Sequence, residues 1–153
     1  MKKLILLLVA AFPLLAYAQA NTITSLYNTY SGKKGVSTVM VTPEMLSSVL
    51  KVNGVELKCS MMAISAERSL SFWPKDIQDM RDAAMKIASA PGYKMLMDVR
   101  EEDETVCIYA REGAQGELDD VLIIVSEDDE ISVIGIDGSI PANLLGKLSR
   151  LAD

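Results

Sequence analysis

The sequence contains no histidine. That excludes Ser-His-Asp and Cys-His nucleophile activation, and with them histidine-ligated zinc or iron. Cysteine is scarce: Cys59 and Cys107 are the only thiols, too few and too far apart for a four-cysteine metal site. Aromatic residues make up 5% of the chain, and only Phe72 and Trp73 stand side by side. A sugar cleft worked by paired carboxylates usually needs aromatic platforms as well, so glycosidase chemistry has little support. No glycine-rich phosphate cradle is present, because Gly32-Lys33-Lys34-Gly35 lacks both the spacing and the strand-to-helix context. Internal repeats and low-complexity linkers are missing too. The reading from these absences is no enzyme and no cofactor.

The chain opens with a stretch that reads as a leader. Lys2-Lys3 form a basic start, Leu4–Val9 and the following alanines an apolar run, and Ala16-Tyr17-Ala18 a small-x-small cleavage site. Pro13 and the shortness of the run, below the ~20 apolar residues of a spanning helix, argue against a retained anchor. No cysteine sits at the cleavage site, so a lipid anchor is not expected. We therefore divide the chain into a cleaved signal peptide, 1–18 (or cleavage after Ala20), and a single domain, 19–153, long enough for its own core.

Charge is plentiful and uneven. The whole chain carries 15 basic and 21 acidic residues, net −6. Removing Lys2 and Lys3 leaves −8. From Asp98 to Glu130 there are 13 acidic residues against only Arg100 and Arg111, whereas residues 21–97 hold nine basic and six acidic ones. Such acidity repels phosphate backbones, so nucleic acid is a poor partner. Ser126-Glu127-Asp128-Asp129-Glu130 offers oxygen ligands to a hard cation, but lacks the alternating spacing and glycine of a calcium loop. A solvated hairpin tip that discourages edge aggregation is the better reading. The eight methionines left after cleavage could hold a soft metal, yet their spacings fit core filling. Cys59 and Cys107 admit two readings. A disulfide closing a ~49-residue loop would add about 4 kcal/mol in the chain-entropy model; alternatively Cys107, mid-strand, is a small buried hydrophobe.

The stretch Val121–Ile136 organises the rest. Two β-branched runs, Val121–Val125 and Ile131–Ile136, flank the acidic turn, which reads as a hairpin. Both faces of each run are apolar, as expected of a strand in the middle of a sheet. Before it, Ile23, Leu26, Tyr27 and Tyr30 mark an amphipathic helix, and Val36–Val41 a strand. Thr42-Pro43-Glu44 starts a second helix. Val55–Met62 reads as an irregular connection or a short helix, and Arg68–Phe72 as a short alternating strand. Pro74 begins a helix to about Ala90, with Ile77, Met80, Ala84 and Ile87 on one side. Tyr93–Arg100, with Met95, Met97 and Val99 on one face, and Thr105–Arg111 then start a four-strand meander. Pro141 opens a leucine-rich closing helix. This order predicts an α+β fold: a mostly antiparallel sheet of five to six strands ending in the meander, packed by three to four helices.

The motifs Tyr30–Val39 running into Thr42–Leu46, Gly92–Val99, Val121–Val125, Glu127–Glu130 and Gly138-Ser139-Ile140 together resemble a family of exported Bacteroidota proteins, the domain-of-unknown-function family numbered 4252. The resemblance covers nearly all of the chain after the leader and brings no catalytic residue, metal or cofactor. It implies a Gram-negative envelope protein of the periplasm with an accessory role in envelope signalling, an association rather than a mechanism. The expectation is a non-enzymatic module that binds an envelope protein or itself, without a membrane span after cleavage. Its interaction surface would be Glu127, Asp128, Asp129, Glu130, Val133 and Ile134. The alternative is a small-ligand or cation binder using the sheet face or the acidic turns.

Overall fold

Thr22 caps the first helix, its Oγ1 accepting from the Ser25 N–H at 3.1 Å and satisfying one of the orphan donors of a helix start. That helix, α1 (Ile23–Tyr30), leads into β1 (Val36–Val41), α2 (Pro43–Leu50), β2 (Ser60–Glu67) and α3 (Pro74–Ala88). Then come β3 (Tyr93–Arg100), β4 (Glu104–Glu112), β5 (Glu117–Glu127), β6 (Glu130–Asp137) and the short β7 (Ser139–Pro141). This structure, a computed structural model, describes residues 22–50 (the side chains of Val49 and Leu50 excepted) and 59–141. The leader and the leucine-rich closing segment lie outside the described residues, as do residues 51–58. Among the described residues, no helix is long and apolar enough to cross a membrane.

Among the described residues the fold is α+β, an open seven-stranded antiparallel sheet with three α-helices. The strand order is β1-β2-β6-β5-β4-β3, with β7 pairing the start of β5. The expected meander is present as β3 to β6, and β5 lies inside the sheet between β6 and β4. Residues paired directly across strands share a face, so register divides the core in two. Leu122, Ile124, Ile131, Val133, Ile64 and Cys107 pack with Leu26 of α1 and with Ile77, Met80, Ala84 and Ile87 of α3. On the other face, Val121, Ile123, Ile134, Ile136, Ile108 and Cys59 form a second cluster with Leu46 of α2.

Local chemistry places the helices as expected. Thr42 Oγ1 accepts from the Met45 N–H at 3.3 Å to start α2, and Asp76 accepts from the Trp73 N–H at 2.8 Å to start α3. α1 needs room on the sheet, and Gly135 supplies it. A Cβ there would stand 2.1 Å from Ile23 Cγ1 and 2.6 Å from Ile23 Cβ.

Four readings require correction. The least readable stretch contains β2, which runs from Ser60 without a register break between β1 and β6. Arg68–Phe72 is a tight turn rather than a strand, with Ser69 Oγ accepting from the N–H groups of Ser71 and Phe72 at 3.2 and 3.1 Å. In β3 the register shifts between Met95 and Met97, so Met95 pairs Tyr109 while Met97 pairs Ile108. This bulge at Leu96 puts Met95 on the face opposite Met97 and Val99. Finally, Cys59 and Cys107 are both free and buried, in clusters on opposite faces of the sheet. The sheet itself stands between them, so the disulfide reading falls; the buried-hydrophobe reading holds for Cys107, and Cys59 is buried as well.

Two outcomes follow from this packing. Gly135→Ala pushes against the stiff branch point of Ile23 and lowers stability by about 1–3 kcal/mol, measurable by urea unfolding. Burial raises the pKa of both thiols, joined at Cys107 by the nearby Asp98 carboxylate. A thiol reagent therefore reacts with both far more slowly in the native protein than in urea, Cys59 the slower of the two, and melts with and without reductant coincide.

Candidate functional site

Antiparallel pairing of β4 with β5 sets Glu104 opposite Glu127. The turn 101–103 and the turn 128–129 therefore meet at one end of the sheet, and a strongly acidic tip results. Two arginines hold it. Arg68 donates its N–H to the Asp129 carbonyl at 2.7 Å, and its guanidinium stands 3.5 Å from the exposed Asp129 carboxylate. Arg81 reaches over from α3 to donate to the Glu127 carbonyl at 2.9 Å. A shallow cleft of about 440 Å³ lies between the two turns, with Arg81, Met85, Arg100 and Cys107 among its lining residues.

Acids at this tip are not all in ordinary water. Partial desolvation pushes the Glu127 carboxyl up, and repulsion from Glu130, Glu104 and Asp103 adds to it. Even so, among the described residues no three His, Cys, Asp or Glu side chains are arranged to hold a metal ion.

Of the six residues expected to form an interaction surface, the structure brings only the acidic ones to water. Asp128, Asp129 and Glu130 are exposed and Glu127 is half-buried. Val133 is fully buried and Ile134 nearly so, one in each core cluster. They cannot meet a partner without unfolding, and that part of the expectation is corrected. Large apolar side chains that reach solvent gather most densely on β3, where Met95, Leu96, Met97 and Val99 are each 40–53% exposed; the others are Val39 and Met40 of β1, Met45 of α2, Met85 of α3, Leu70 and Trp73. β3 is an edge strand, at the opposite border from β1, and runs directly into the acidic turn at Glu101. Its methionines had been read as core, and only the bulge and the edge position reveal them.

Residues 30–148 match the profile of a family described as Domain of unknown function (DUF4252). The chain belongs to this family. A search of curated proteins finds no match to it. Membership in the DUF4252 family brings no activity with it, so the function of this DUF4252 protein must be argued from its own surface.

Titration tests the tip. A carboxyl whose pKa is raised by folding makes the native chain hold more protons than the unfolded one, so stability falls as pH rises from the unfolded value through the folded one. Glu127→Gln therefore raises the Tm at pH 7, and the gap closes below about pH 4, where the unfolded carboxyl is also protonated. Added NaCl narrows the gap at pH 7, because it screens the neighbouring acids.

Proposed function

We propose that this DUF4252 protein is a non-enzymatic interaction module of the periplasm, exported by its leader, that docks an envelope protein and serves envelope signalling. The observation that carries this reading is the set of exposed apolar side chains on β3, Met97 and Val99 on one face and Met95 on the other, set against an acidic tip. Exposed apolar side chains beside one sign of charge suit a protein interface. The methionines are unbranched and adaptable, suited to a partner surface of irregular shape. Charge selects a partner whose contact surface is apolar with a basic rim, since Glu101, Glu102 and Asp103 border the strand. Docking engages side chains rather than the backbone edge, because the bulge at Leu96 and the charges of Lys94, Asp98 and Arg100 discourage strand addition.

A second reading, cation binding, draws on the crowding around Glu127, which a bound cation would relieve. Calcium that raises the Tm beyond an ionic-strength-matched sodium control would favour it.

The interaction reading is checked in intact cells with a photo-reactive benzophenone side chain in place of Met97. The expected result is one dominant adduct with another envelope protein, lost on Val99→Asp while the Tm is unchanged. Positions 95, 97 and 99 that all give no adduct would sink the reading.

A further inference from the structure

The opposite edge of the sheet is built differently. β1 pairs only with β2 among the described residues, so alternate N–H and C=O groups from Val36 to Val41 face outward. Its six residues, Val36-Ser37-Thr38-Val39-Met40-Val41, carry no charge, no proline and no glycine. The register with β2 runs through all six without a shift. Val39 and Met40, on opposite faces, are 53% and 52% exposed. Natural edges guard against pairing with charges, prolines and bulges. β3 has two of these devices, and β1 has none.

We propose that β1 is a homotypic pairing edge, where two copies of this chain join β1 to β1, antiparallel about a two-fold axis normal to the sheet. Three observations select a second copy as the occupant. An axis of that kind keeps each face of the sheet on its own side, so residues facing one another must come from the same face. Uninterrupted alternation in β1 allows this along the whole strand: centred on Val39, it pairs Val39 with Val39, Thr38 with Met40 and Ser37 with Val41. The same operation on β3 fails, because the bulge inverts the alternation at Leu96. Charge agrees as well. Centred on Val39, the antiparallel pairing brings the Lys33-Lys34 turn that precedes β1 to the Glu44 end of α2 that follows it in the other copy. The acidic turns, which would repel a like copy, border β3 to β6 instead. The interface is isologous and closes at two copies. It is separate from the β3 docking surface and stands whether or not that reading survives.

The test uses the protein expressed from Met1 and purified as the cell leaves it. Light scattering across a concentration series should give the mass of two copies. Val39→Lys sets two ammonium groups across the axis and weakens association by about tenfold or more. Lys34→Glu weakens it too, and adding Glu44→Lys restores it, which a folding defect would not do. Val39→Cys should form an intermolecular disulfide under mild oxidant, the native thiols being buried. A monomer at every concentration overturns the proposal. So does a dimer that ignores the β1 substitutions and is lost on Met97→Lys, since that places the contact at the other edge.

Discussion

Leu122 and Ile124 of β5 point into one hydrophobic cluster, and Val121 and Ile123 into another. A strand apolar on both sides has no stable place at a surface. It must be flanked within the sheet and covered above and below. That constraint fixes the positions of β4 and β6 around β5, requires α1 and α3 on one face, and sends Leu46 of α2 to the other. Even the glycine at 135 follows from it. With α1 lying over β6, a side chain at that position would occupy the space of Ile23.

The same two-sided demand separates what could be read in the residues from what could not. β5, β6 and the helix starts at Thr42 and Pro74 were legible because pattern and local hydrogen bonding agree there. β2 was not. Apart from Ile64 and Glu67, Ser60–Glu67 is made of serine, methionine and alanine, residues of modest strand preference, and takes its conformation from the two strands that enclose it. Val133 and Ile134 looked like surface candidates because an apolar residue does not announce which face of the sheet is covered. The cysteines posed the same difficulty, since sequence separation does not say that a sheet lies between them. The methionines of β3 were misassigned for another reason: strict alternation was assumed across Leu96, where an inserted residue reverses it.

Charge follows the architecture. The chain's acids are concentrated in the second half of the sequence, and the pairing of β4 with β5 gathers two of its acidic turns at one end of the sheet. The chain tolerates the repulsion there by lending that end two arginines, Arg68 from the β2 end and Arg81 from α3. The Arg68 main-chain N–H donating to the Asp129 carbonyl and the Arg81 guanidinium donating to the Glu127 carbonyl fix the turn geometry even where the Arg68–Asp129 ion pair is exposed and weak. The tip thus holds a defined turn geometry while remaining strongly negative.

The bulge at Leu96 has a consequence at a larger scale. A sheet with two receptive borders can add subunits at both, and nothing then limits its length; the product is a ribbon, the first step toward a fibril. One extra residue in β3 makes that border a chain terminator. Growth can start at β1 alone, and a second molecule arriving there exhausts it.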